Sequence, residues 1–276
     1  MSLNQHTLKD SYRFEGKGLH TGVYTHMTLL PAPENSGIRF RRTDLSGGPV
    51  IPALAEYVTN TARSTTLSLD GAEAVTVEHI LSALLGLGVD NALIELDNSE
   101  VPILDGSARL YAEAFELQEQ EAPRRFLRLP NVLEVKDPHS GSWIRIEPAD
   151  APSADSTVDF DSPVLGVQSI HWDLNTEYAQ EIAPCRTFCF YREIEALLKN
   201  NLIKGGDLDN ALVVTDDGYM GNPTLHFPDE CGRHKMLDLL GDLSLVGGLL
   251  NARITAFKPG HTLNTQAAKA VRALLK

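Results

Sequence analysis

Apolar and polar residues alternate in "YTHMTLL" (24–30), "IRFRR" (38–42), "ALIEL" (92–96), "WIRIE" (143–147), "STVDF" (156–160) and "ARITAF" (252–257). That two-residue period predicts strands with one buried face; "FLRL" (126–129) and "ALVVT" (211–215) read as shorter strands. Apolar residues spaced three and four apart predict helices from about Thr76 to Leu87, from Ser107 onward, and over 191–200, 231–248 and 264–275. Two polar, proline-bearing stretches interrupt the pattern, "ELQEQEAPRR" (116–125) and "EPADAPSADS" (147–156). The first follows a complete set of elements and is the better boundary. The chain therefore divides into expected domains 1–122 and 123–276.

The two halves echo each other. His79 is followed by Leu84, Leu85 and Gly86, and His234 by Leu239, Leu240 and Gly241 at the same offsets. Each helix then leads through a glycine-bearing turn to Asn-Ala and a strand, "NALIEL" at 91 and "NARITA" at 251. A duplication of this kind implies an α+β fold of two domains, each laying helices on one face of a sheet.

The helix within "CGRHKMLDLLGDLSLVGG" has an unusual face, because His234, Asp238 and Asp242 recur every four residues where a buried helix would place leucine. Side chains four apart stack on one side of a helix, so His234 and Asp238 can reach one ion. A catalytic zinc commonly takes three protein ligands and keeps a fourth position open. His79, after Glu78 at the echoed place, is the third candidate. The pattern alone also fits an ordinary helical pair worth about 0.2–0.5 kcal/mol. Other signatures fail: no His-Glu-x-x-His occurs, Cys231 and His234 lack a second Cys/His pair, and neither Gly-x-Gly has its third glycine.

Composition narrows the partners. With 37 acidic against 24 basic residues, the 276-residue chain carries a formal charge of −13, which argues against nucleic acid. A small anion needs only local cations, such as Lys235, Lys258, Arg186 or Arg192. Three cysteines form no disulfide framework, and Cys185 and Cys189 read as core or pocket residues. The apolar runs are shorter than the ~20 residues of a membrane span. A soluble, cytoplasmic protein is expected.

Seven ordered blocks together resemble one family, the zinc-dependent UDP-3-O-acyl-N-acetylglucosamine deacetylases of lipid A biosynthesis. They are "GKGLHTG" (16–22), "PAPENSGIRFRRTDL" (31–45), "TVEHILSALLGLGVDNALIELDNSEVPILDGSA" (76–108), "CRTFCFYREIE" (185–195), "LIKGGDLDNALVV" (202–214), "GRHKMLDLLGDL" (232–243) and "FKPGHTLN" (257–264). The resemblance implies two domains of similar topology, with helices layered on mainly antiparallel sheets and the active site between them. It implies zinc, with iron(II) also compatible with a His2Asp set, on His79, His234 and Asp238. It assigns Glu78 as general base, His261 as general acid or oxyanion stabiliser, Asp242 as the partner of His261, and Thr187 and Lys235 as groups around the carbonyl. Zinc would activate water and polarise the amide, and Glu78 would take the proton.

The implied substrate is a UDP-sugar carrying an acyl chain. Lys258 and Phe190, with Arg192, are candidates for the nucleotide. Phe188, Leu198, Ile203 and Val213 are candidates for an apolar groove, with Gly206 in its "KGG" turn and His20 on the glycine-flanked "GLHTG" turn. Asp105 either orients a ligand histidine or forms an Asp-Gly turn. Cys189 and Asp207 depart from the family pattern, at glycine and serine positions, which bears on the pockets rather than the metal. The alternatives are a zinc amidohydrolase acting on another N-acetylated sugar, or the deacetylase part of a chain fused to an acyl-carrier-protein dehydratase. Acyl length and oligomeric state are not encoded legibly.

Overall fold

The computed structural model describes residues 2–275. Two five-stranded sheets share one plan. In the first, Tyr12–Lys17, Tyr24–Pro31, Ala92–Leu96, Ile38–Arg42 and Val50–Pro52 lie side by side in that order. In the second, the order is Leu133–Lys136, Trp143–Pro148, Ala252–Phe257, Ser153–Asp159 and Val167–Asp173. Across both sheets the pairings run antiparallel, antiparallel, parallel, antiparallel.

The sequence echo is thus an echo in topology, since each central strand follows its histidine-bearing helix. Alternation explains the inner faces. Met27, Leu29, Phe40 and Ile94 point into the core from one sheet, and Ile144, Ile146, Ala154 and Ile254 from the other. Leu29 and Phe40 flank Ile94 in register, as Ile146 and Ala154 flank Ile254. The fold is an α+β sandwich of mainly antiparallel sheets with helices between chain segments of both halves.

Six α-helices occur among the described residues: α1 (Glu78–Leu87), α2 (Arg109–Ala114), α3 (Tyr178–Glu181), α4 (Ile194–Lys199), α5 (Glu230–Leu243) and α6 (His261–Leu275). α1 packs directly on α5, and both share one apolar core with the two sheets. Gly241 sets the closeness of that crossing. A Cβ built there would stand 2.1 Å from the Glu78 carbonyl oxygen, so any larger residue would push the helices apart.

Several expected elements differ in extent. α1 begins at Glu78 because Thr76 has φ 59°, which no α-helix accommodates. The 107 helix shrinks to α2, and the 191–200 helix opens as a 3-10 turn over Tyr191–Glu193 before α4. The last helix starts earlier than expected, at His261. Part of "ELQEQEAPRR" is a strand, Leu117–Pro123, paired antiparallel with Asn4–Leu8. Its polar residues suit an exposed edge pair. Short strands Val58–Asn60, Thr66–Leu69 and Ala72–Ala74 form a further sheet. Among the described residues, no helix is long and apolar enough to cross a membrane.

Candidate metal centre and catalytic site

The α1–α5 crossing brings His79, the second residue of α1, against the four-residue ladder of α5. His79, His234 and Asp238 are all buried, and each offers a ligand atom within 4.8 Å of the others. Oδ1 of Asp238 lies 3.4 Å from Nε2 of His234 and 3.7 Å from Nε2 of His79. That oxygen is buried and has no hydrogen-bond partner. A buried, unpaired carboxylate oxygen costs several kcal/mol unless something cationic satisfies it, so a divalent cation fits the arrangement. Oδ2 of Asp238 is taken by the Lys235 ammonium at 2.7 Å.

Both imidazoles are in a form that can bind a metal. Nδ1 of His234 donates to the Cys185 carbonyl at 2.9 Å, which leaves Nε2 as the acceptor facing Asp238. Burial, followed by the neighbouring His234, pushes the His79 imidazole down to about 3. Burial likewise lowers His234, against the attraction of Asp238. Both rings are therefore neutral at ordinary pH, the form that binds metal. For Asp238, burial favours the neutral acid, but the Lys235 ammonium, together with His261, outweighs it and holds the carboxyl well below its usual range. Two nitrogens and one carboxylate oxygen make a donor set suited to zinc.

A second set of groups lies beside the first. Nε2 of His261 is 3.8 Å from Oε1 of Glu78 and 3.9 Å from Oδ2 of Asp238. Nδ1 of His261 pairs with Oδ2 of Asp242 at 2.9 Å. Burial disfavours the imidazolium, yet Asp242 and then Glu78 raise His261 to about 9. Burial raises Glu78 to about 8; His261 pulls it down, while Asp242 and Asp238 push it up. Both groups hold their protons more strongly than usual, and Glu78 releases its proton before His261, so the pair passes through a carboxylate beside an imidazolium that can take and deliver protons.

A cavity of about 360 Å³ opens over both sets. Thr187, Phe188, Phe190 and Lys235 line it, as the sequence reading expects of site residues, together with Cys189. Phe188 and Phe190 meet Phe160 edge to face, with centroids 5.3 and 6.4 Å apart. Arg192 stands 4.7 Å above the Phe190 ring. Lys258 lines an adjoining cavity of about 420 Å³ with Lys136, Gly260 and His261, and its ammonium pairs with Asp159 at 3.2 Å. His20, Ile203 and Gly206 do not line the first cavity. They meet beside Leu19, which does, where the 18–22 turn docks on the 203–206 turn.

Of the groove candidates, Val213 is buried and Leu198 is half exposed. Arg186 is not available to an anion, because its guanidinium clamps the buried Glu230. Asp105 accepts from Ser107 and Arg109, the turn role rather than that of a histidine partner.

Several residues at this site carry no sequence signal. Thr65 donates its backbone N–H to Glu78 and its hydroxyl to Asp242. Asn264 donates to Asp242 at 2.9 Å, and Arg63 bridges to Glu193 at 3.1 Å across the cavity mouth. Phe160 sits at the end of a strand that reads as sheet core. The Cys185 carbonyl is backbone and has no side-chain pattern to betray it.

Comparison with known proteins agrees with this geometry. Residues 5–273 match the family described as UDP-3-O-acyl N-acetylglycosamine deacetylase. The chain is 43% identical to the UDP-3-O-acyl-N-acetylglucosamine deacetylase of Myxococcus xanthus, over 98% of this chain and 87% of that one. It is also 43% identical to the enzyme of that name from Trichormus variabilis, over 99% of both. The bifunctional enzyme LpxC/FabZ of Porphyromonas gingivalis is 42% identical over 99% of this chain, which spans 65% of that relative's length. The chain belongs to the UDP-3-O-acyl N-acetylglycosamine deacetylase family.

Proposed function

We propose that this chain hydrolyses the N-acetyl group of a UDP-3-O-acyl-N-acetylglucosamine, releasing acetate. The observation that carries the reading is the unpaired Oδ1 of Asp238, held between two neutral imidazoles with Glu78 and His261 alongside. A divalent ion on His79, His234 and Asp238, zinc with iron(II) as the other fitting metal, would supply Lewis acidity toward the amide carbonyl and toward water.

The side chains do the rest. Glu78 takes a proton from the attacking water as its oxygen meets the carbonyl carbon. Thr187 and Lys235, on the cavity wall, offer donors to the oxyanion as charge develops. His261, held protonated by Asp242, gives its proton to the nitrogen as the C–N bond breaks. Phe188 and Phe160 form an apolar wall suited to the acyl chain, and the Phe190 ring under Arg192 offers a stacking surface for the nucleotide. Lys258 supplies a cation for the diphosphate, and the 18–22 and 203–206 turns, with His20, Ile203 and Gly206, shape the rim. The repeated sheet plan supports a division into units 1–122 and 123–276, with the site between them. The three free cysteines agree with a reducing, cytoplasmic setting.

The test is acetate release from UDP-3-O-acyl-N-acetylglucosamine, set against UDP-N-acetylglucosamine and simple N-acetylated sugars. Turnover that requires the acyl chain supports the proposal. Equal or faster turnover of the simple sugars would assign a different substrate.

A further inference from the structure

Thr65 is fully buried and belongs to none of the helices that carry the reacting groups. Its backbone N–H donates to Oε2 of Glu78 at 3.0 Å. Its hydroxyl donates to Oδ1 of Asp242 at 2.5 Å and stands 3.4 Å from Nδ1 of His261. The free faces of those groups follow from these bonds. With Oε2 of Glu78 held, Oε1 is the oxygen turned to Nε2 of His261. With Oδ1 of Asp242 held, Oδ2 is the oxygen on Nδ1 of His261.

We infer that Thr65 is a positioning residue that fixes the base and the acid relative to each other. Terminal carboxylate torsions are broad, so a carboxylate bonded through one oxygen can swing about it. Asn264 also binds Asp242, but through Oδ2, the oxygen that His261 already uses. Among the described residues, Thr65 alone donates to Oδ1. Glu78 lies on α1, Asp242 on α5 and His261 on α6. One residue therefore ties three separately carried groups, where displacements of about 1 Å cost on the order of 10²-fold in rate.

The inference rests on the proposal that Glu78 and His261 transfer protons, and the experiment separates the two. The metal-loaded full chain is compared as parent, Thr65→Val, Thr65→Ser and Glu78→Gln, reading kcat, KM and bound metal. Thr65→Val keeps the N–H and loses the hydroxyl. Its kcat falls by about 10-fold or more, with KM and metal content unchanged, and Thr65→Ser restores most of the loss. Parental kcat in Thr65→Val overturns the inference, as does a Thr65→Ser variant equally impaired, or a loss explained by missing metal. Should Thr65→Val fail to fold, Thr65→Cys provides a weaker donor of similar size, and parental kcat there is equally fatal. Full turnover by Glu78→Gln would instead remove the proton-transfer reading itself.

Discussion

Nε2 of His79 and Oδ1 of Asp238 lie 3.7 Å apart, brought together from distant parts of the sequence by the packing of α1 on α5. The proposed metal centre therefore depends on that crossing, and Gly241 leaves no room there for a Cβ. Replacing a helix-interior glycine by alanine normally stabilises, by about 1 kcal/mol. Here the added methyl meets the Glu78 carbonyl oxygen at 2.1 Å and the carbonyl carbon at 2.9 Å. Gly241→Ala is expected to lose about 1–3 kcal/mol and to bind metal more weakly. Thermal unfolding with metal analysis checks this; an ordinary gain in Tm would contradict it.

Glu78 precedes the proposed ligand His79 and is proposed as the base rather than as a ligand. Glu78→Gln keeps the side-chain volume and an acceptor for the Thr65 N–H, and removes the base. Bound metal is expected to be unchanged, while kcat falls by about 10²–10⁴-fold. Metal loss in step with activity would make Glu78 a structural support of the centre.

The Arg186–Glu230 clamp anchors the start of α5 to the segment bearing Thr187. Glu230 accepts from the guanidinium at 2.8 Å and from the backbone N–H groups of Arg186 and His226. Burial opposes its charge, but the Arg186 hydrogen bonds and these amides hold its carboxyl below the usual value of 4.5. A depressed folded-state pKa contributes stability that is present above the unfolded value and lost as pH falls through the folded one. Glu230→Gln is expected to lose about 1.5–3 kcal/mol at neutral pH and to flatten the stability curve below pH 4.5. Denaturant unfolding across pH 3–7, in roughly unit steps, reads both. Parallel curves for parent and variant would exclude this carboxylate as an acid-sensitive element.

Lys258 faces the cavity next to His261 without touching the metal trio. For a substrate with a diphosphate, Lys258→Ala is expected to raise KM by about tenfold with kcat little changed. A fall in kcat at constant KM would place Lys258 in the chemistry instead.

Alternation made the inner strands legible, because Leu29, Ile94, Ile146 and Ile254 each face the core on a two-residue period. Asn4–Leu8 and Tyr12–Lys17 escaped, since polar residues occupy much of both, and the partner of Asn4–Leu8 is distant in sequence. Leu117–Pro123 looked like a linker for the same reason: an edge strand can be polar and still be paired. His79, His234 and Asp238 were visible because two share a helix and the third sits at its echo. Thr65, Asn264 and the Cys185 carbonyl were not, because each acts through hydrogen bonds that exist only in the folded chain. His20, Ile203 and Gly206, expected as substrate contacts, lie where two turns dock beside the cavity, a docking that no sequence pattern announces. Arg186 read as a free cation and is consumed by Glu230, a pairing that only the tertiary structure reveals.

The most direct measurement is the metal content of the purified parent and of Asp238→Ala, each with its acetate-release activity. The parent is expected to hold about one tightly bound divalent ion per chain, with ion and turnover both lost in the variant. An Asp238→Ala protein that kept its ion and its activity would contradict that expectation.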